Sequence, residues 1–285
     1  MKKEITLSML FIALYSSNIF SYAVDNKCEK LLENGKVSEA KMEAKNLTNK
    51  YDSSFCFGKA SYIEKEYKLA TESFDISIKE AVHPSDQLQA ILFKGIAQRD
   101  SKDIKASAIT FKYGFESAKL GNTKYMQYEQ RFLYQLGTSQ ALLKDYFEAT
   151  DSFSKSIRIA ANDEERALSF DGLARAYYLN NKAGNAVESG LTATLLYQKV
   201  GLLGKYADAT IELSRYYFLD KKGTKALSVL DKLERFCIDN GGEYYLAKTL
   251  LAQSSLLEKL GKKELSVDKQ NKADILMKRL GATDL

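Results

Sequence analysis

Apolar residues recur along this chain at intervals of three and four. From 168 to 178 they are Leu168, Phe170, Leu173, Ala174, Tyr177 and Tyr178, a set that falls on one face of an α-helix. Asn162-Asp163-Glu164-Glu165, just before it, has the form of a capping box, in which the Asn side chain accepts a first-turn N–H and Glu165 reaches back. Gly35, Gly121, Gly201, Gly204, Gly223, Gly241, Gly242 and Gly261 separate such segments, where the helix should stop or φ turn positive. One Pro and 16 Gly in 285 residues are too few for a turn-dense all-β chain. The pattern predicts long helices.

The helical pattern repeats. Its clearest copy runs Leu133, Leu136, Gly137, Tyr146, Ala149, Phe153, Ser156. The frame returns as Gly58, Tyr67, Ala70, Phe74, Ser77, and as Ile91, Gly95, Ile104, Ser107, Phe111, Gly114. It continues as Phe170, Ala174, Tyr177, Ala183, Ala186, Ala193, and then Leu213, Ser214, Tyr217, Ala226, Leu230, Leu233. Weaker copies stand at Leu31, Val37, Ala40, Ala44 and at Leu250, Ser254, Leu257, Ser266, Ala273. The small anchor of each copy falls at Ala40, Ala70, Ser107, Ala149, Ala186, Ala226 and Ser266, giving spacings of 30, 37, 42, 37, 40 and 40. A period of this size marks stacked helix pairs, none of which can bury its apolar stripe alone.

This frame resembles the tetratricopeptide repeat (TPR), a helix-turn-helix unit with a small residue in its first helix and an aromatic-Ala-aromatic-small series in its second. The resemblance implies an all-α, right-handed α-solenoid of about seven antiparallel helix pairs, a TPR-like superhelix forming one domain over 24–285. Most spacings exceed the 34 residues of the standard unit, which implies helices of about 15 to 18 residues. The Pro that usually closes each unit is missing, Pro84 apart.

The resemblance also implies a concave groove lined by the first helices. Reading the groove-facing places gives Arg131, Tyr134, Asp171, Arg175, Tyr178, Asp208 and Arg215, with Arg99, Glu212 and Phe218 beside them. Both charge signs and amphipathic side chains suit a polypeptide better than a polyanion, and Tyr and Arg dominate interface hot spots. The family's Lys/Asn/Arg clamp for a peptide carboxylate is not reproduced. Tyr177 and Tyr217 share one frame position and are expected to pack in the core.

Candidate chemistry is sparse. There is no P-loop, GxGxxG, HExxH, GxSxG or paired CxxC motif, so neither an enzyme nor a cofactor or metal site is expected. The single His, His83, precedes Pro84, where a helix ends and the next is capped. Asp163-Glu164-Glu165 suits the positive end of a helix dipole rather than a cation site. Lys and Arg number 42 against 37 Asp and Glu, without any basic run of five, so no nucleic-acid partner is expected.

Residues 1–23 read as a signal peptide: Lys2 and Lys3, an apolar stretch from Ile5 to Leu14, then Ser21-Tyr22-Ala23 as the cleavage site. The competing reading is an uncleaved inner-membrane anchor, which the polar Ser16, Ser17 and Asn18 weaken. Export favours disulfides, and Cys28 and Cys56, in the first two units, are the natural pair, leaving Cys237 a thiol. Together these features predict a non-catalytic protein-protein scaffold of the bacterial periplasm. Its concave groove would hold a peptide or protein segment. The alternatives are a small-molecule or peptide-sensing receptor or enzyme with an inter-helix pocket, and a purely structural subunit of an envelope complex. Membrane contact is expected only from an uncleaved leader. Intact-mass analysis of protein released from the cell envelope should give a chain beginning at Val24; retention of Met1 in a membrane-bound form would support the anchor instead.

Overall fold

The computed structural model describes residues 27–281, and the segment expected to be a signal peptide lies outside them. The chain divides into two compact units, Met1–Leu143 and Lys144–Leu285. The first holds α1 (Lys27–Glu33), α2 (Val37–Asn46), α3 (Lys50–Ile63), α4 (Tyr67–Glu80), α5 (Pro84–Asp100), α6 (Ile104–Lys119), a 3-10 turn (Asn122–Tyr125) and α7 (Met126–Leu142). The second holds α8 (Tyr146–Ile159), α9 (Asp163–Leu179), α10 (Ala183–Lys199), α11 (Leu203–Leu219), α12 (Gly223–Asp239), α13 (Glu243–Lys259) and α14 (Lys263–Leu280). No strand occurs among the described residues, and no helix among them is long and apolar enough to cross a membrane.

Within each unit every helix packs on its chain neighbour. The seven predicted anchors, Ala40, Ala70, Ser107, Ala149, Ala186, Ala226 and Ser266, are each the fourth residue of a second helix, α2 through α14, and all are buried. In α4, α6 and α8 the residue four after the anchor is a Phe whose ring crosses onto a glycine of a neighbouring helix. A Cβ on Gly58 would stand 2.7 Å from Phe74, one on Gly95 2.4 Å from Phe111, and one on Gly172 2.4 Å from Phe153. Each glycine admits a ring that any side chain would exclude. In α10 the ring's place is taken by Gly190, and Tyr216 of α11 fills the space from the other side.

Buried serines pair across these seams. Ser54 with Ser77 (2.8 Å), Ser107 with Ser139 (3.0 Å), Ser156 with Ser169 (2.8 Å) and Ser254 with Ser266 (3.1 Å) share hydroxyl hydrogen bonds. Small side chains thus allow close approach without stranding a polar atom.

Several local expectations are revised. The first two helices have 7 and 10 residues, shorter than the predicted 15 to 18. Positive φ or an end of helix was expected at the eight glycines, and in the turns joining first to second helices positive φ occurs at Gly35, Lys65, Lys102, Lys144, Asn181, Lys221 and Gly261. Gly121 and Gly242 keep negative φ, while Gly204 and Gly223 lie inside the first turns of helices. Pro84 opens α5 rather than closing a unit, because it needs no N–H at a first helical position, and exposed His83 caps that helix with its backbone alone. At α9, Asn162 Oδ1 accepts the Glu165 N–H at 2.8 Å, and the Glu165 carboxylate reaches back to the Ala161 N–H, one residue before the cap.

The disulfide Cys28–Cys56 joins α1 to α3, with Cα atoms 6.1 Å apart. Beside it, buried Lys59 of α3 donates to Glu29 of α1 at 2.6 Å. Cys237 is a buried thiol whose ionisation burial disfavours. Closing a loop of 28 residues is worth about 3 kcal/mol in the chain-entropy model. Cys28→Ser with Cys56→Ser should therefore destabilise the first unit by about that amount, and hydrogen exchange should quicken first in α1; unchanged exchange there would show that packing alone holds the helix.

Candidate functional site

The first helices of the second unit, α9, α11 and α13, lie side by side and run parallel, because each is separated from the next by one antiparallel second helix. Their polar residues face an open depression of about 390 Å³. Asp171 and Arg175, four apart, come from α9. Lys205, Asp208, Glu212 and Arg215, at spacings of three and four, come from one face of α11. Lys248 comes from α13, and Tyr197 of α10 with Ala209 and Ile211 of α11 supply the apolar part.

The charges are partly paired. Lys248 donates to Asp208 while its ammonium sits 5.6 Å and 5.7 Å from the ring centres of Tyr244 and Tyr245. Arg215 donates to Glu212 at 2.7 Å. Desolvation pushes the Asp171 carboxyl above the usual carboxylate range. Arg175 pulls it back, Glu212 pushes it up, Lys205 lowers it and Asp208 raises it. Behind Asp171, the Tyr216 hydroxyl is buried without a hydrogen-bond partner among the described residues, and burial with the carboxylates of Asp171 and Glu212 holds it neutral.

Four predicted groove residues, Asp171, Arg175, Asp208 and Arg215, share this depression with Glu212. Tyr178 does not line it. Its half-buried ring packs 5.2 Å from that of Tyr216, which makes it a support for the site's floor rather than a free platform. Tyr177 and Tyr217 pack against the same core cluster, but Tyr216 is the fully buried member. Arg131 and Tyr134 belong to α7 of the first unit, where both are half-buried. In that unit Arg99 donates to Gln135 and lies 5.8 Å over the Phe111 ring. In the second, Phe218 packs in a core cluster beneath Lys259.

Lys205, Tyr197 and Lys248 were not anticipated. Lys248 occupies in α13 the place of Asp208 in α11, forty residues on, so the frame carried one unit further would have found it. Lys205 lies one turn before Asp208 on the same face. Among the described residues, no group of three or more His, Cys, Asp or Glu could hold a metal ion.

No family model matches the chain, and no curated protein matches it. Solved structures do. The apo form of RapI superimposes with a TM-score of 0.69 at 12% identity, over 91% of this chain and 76% of that one. A Rap protein complexed with Competence and Sporulation Factor gives 0.60 at 12% identity, over 96% and 86%. The C-terminal part of a TPR repeat-containing protein from Cytophaga hutchinsonii gives 0.59 at 16% identity, over 90% and 95%. At such identities the likeness is one of fold, and the fold is the TPR-like helical repeat.

The raised Asp171 carboxyl sets a linkage. A carboxylate whose folded pKa exceeds its unfolded value subtracts from stability above the folded pKa, and the cost vanishes below the unfolded one. Asp171→Asn should raise the melting temperature at neutral pH and lose that advantage as the pH falls below about 4; an equal gain at every pH would remove the desolvation argument.

Proposed function

We propose that the protein is a non-catalytic scaffold that holds a peptide or protein segment of mixed charge, and that it works in the bacterial periplasm. The observation that carries this reading is the depression where α9, α11 and α13 present both charge signs to solvent. Seven of its ten lining residues are charged, whereas pockets for small ligands are mostly apolar, so a segment with its own alternating charges fits better than a small-molecule receptor site. A cationic side chain of the bound segment would replace water and neutralise Asp171, which is desolvated yet flanked by four other ionised side chains of α9 and α11. A related fold is seen complexed with Competence and Sporulation Factor, which is consistent with this use of the scaffold. A purely structural subunit would have no use for a desolvated carboxylate at an open surface. The periplasmic assignment rests on the amino-terminal segment and is favoured by the disulfide, since such bonds persist in oxidising compartments.

The test is an array of peptides drawn from envelope proteins, probed with the wild type and with Arg175→Glu plus Arg215→Glu. Both arginines are exposed, so helicity should hold, while the Glu placed beside Asp171 should lower the melting temperature modestly. Peptides bound by the wild type should carry acidic and basic side chains and lose affinity by about thirtyfold in the double variant, the effect of one strong hot spot. Equal binding by both proteins would move the working surface elsewhere.

A further inference from the structure

The two edges of the second unit are built differently. Because α8 to α14 pack as antiparallel neighbours, the turns joining α9 to α10, α11 to α12 and α13 to α14 open on one edge, together with the start of α8. The last two of these turns touch: a Cβ on Gly223 would stand 2.8 Å from Leu260, and Lys259 lies 5.8 Å over the Phe218 ring. This edge displays Lys144, Lys182, Lys221, Lys222, Lys225, Lys259, Lys262 and Lys263, all exposed, against Asp145, Glu148, Asp220, Glu258 and Glu264. Among the described residues only Lys222 of these has an ion-pair partner, Asp220 at 2.5 Å. On the opposite edge, Asp163 is bridged by both Lys199 and Arg166, and Glu243 by Arg279.

Three of the lysines occupy positions that disfavour them. Lys182, Lys222 and Lys262 are the N-caps of α10, α12 and α14, and none makes a side-chain cap hydrogen bond. A cap position selects Ser, Thr, Asp or Asn, and a cation there opposes the helix dipole. Lysine at three equivalent cap positions, of which only Lys222 is offset by an ion pair, points to a demand from outside the fold. Between the lysines stand exposed apolar side chains: Phe147 at 78%, Leu179 at 47% and Leu265 at 56% exposure.

We propose that this edge docks onto a bilayer of anionic lipid, the lysines meeting headgroup phosphates and Phe147, Leu179 and Leu265 entering the interface. Compact ammonium groups interleaved with apolar tips are the chemistry of interfacial binding. A soluble polyanion would use the lysines and leave the apolar tips in water. This surface is distinct from the depression, and neither proposal depends on the other.

Co-sedimentation of the full chain with vesicles tests it. Wild type should bind phosphatidylcholine vesicles containing phosphatidylglycerol more tightly than phosphatidylcholine alone, and added salt should weaken the binding. Each lysine near such a surface is worth about fivefold in partitioning, so Lys182→Gln, Lys221→Gln and Lys262→Gln together should lower it on the order of a hundredfold. Circular dichroism should be unchanged. Both proteins carry the same amino terminus, so residues 1–26 contribute equally and the difference reads the edge. Phe147→Ser should weaken vesicle binding and leave retention on heparin as it was. Equal binding to charged and neutral vesicles would overturn the proposal, as would wild-type binding by the triple variant. Retention on heparin or duplex DNA without vesicle binding, or indifference of the vesicles to Phe147→Ser, would assign the edge to a soluble polyanion instead.

Discussion

The architecture depends on how closely two helices can approach at the fourth residue of every second helix. Ala or Ser there, buried in all seven copies, lets the neighbouring backbone come within reach, and in α4, α6 and α8 the residue four later crosses the gap. Where that residue is Phe, the helix it meets must offer glycine, as Gly58, Gly95 and Gly172 do. Replacing either partner would open a void or force a clash, each costing about 1–3 kcal/mol or more. The buried serine pairs follow from the same closeness, since two hydroxyls at 2.8–3.1 Å satisfy each other only when the helices touch. Charged side chains are thereby confined to the remaining helix faces and to the turns, which is where both candidate surfaces lie.

This constraint was legible because it recurs. Anchors spaced by about forty residues announce themselves at Ala149, Ala186 and Ala226 even though the copies share little else. Features that do not follow the frame were harder to read. Tyr178 was expected to face the groove, but its ring packs on that of Tyr216, and Tyr216 is buried because Gly190 in the preceding helix leaves room for it. That exchange of Phe for Gly in one unit, answered by a Tyr in the next helix, is a property of three helices and has no signature in any one of them. The lysines at positive φ were missed for another reason. An αL lysine costs about 1 kcal/mol, little enough for a repeat to carry, so glycine marks only some of the places where the backbone needs it.

Net charge says little about either surface. An excess of five positive charges over 285 residues could be spread evenly, and the sequence holds no basic run to suggest otherwise. Folding sorts it. In the depression, Lys205 and Arg215 flank Asp208 and Glu212 along α11, with Asp171 and Arg175 on α9 and Lys248 on α13, so the field inside is a pattern of signs rather than a sign. At the turn edge, lysines at 144, 182, 222 and 262 are separated by 38, 40 and 40 residues, one repeat apart, and they converge only because the helices between them fold back on themselves.

The contrast between the start of α9 and the starts of α10, α12 and α14 gives that convergence its meaning. The start of α9 is furnished as helix physics asks, with an Asn cap accepting at 2.8 Å and three acidic residues in the first turn. The starts of α10, α12 and α14 are furnished against it, each with a lysine at the cap. Every such substitution forgoes about 1 kcal/mol of capping and adds an unfavourable dipole contact of about 0.3–1 kcal/mol. The helices survive because their stability comes from the seams, where Ala186, Ala226 and Ser266 are buried. Sequence freedom at the caps is therefore real, and random use of it would scatter polar residues of every kind across the edge. Lysine at the same place in three successive units is a choice that stability does not explain, and a flat anionic surface is the simplest partner that would read all three at once.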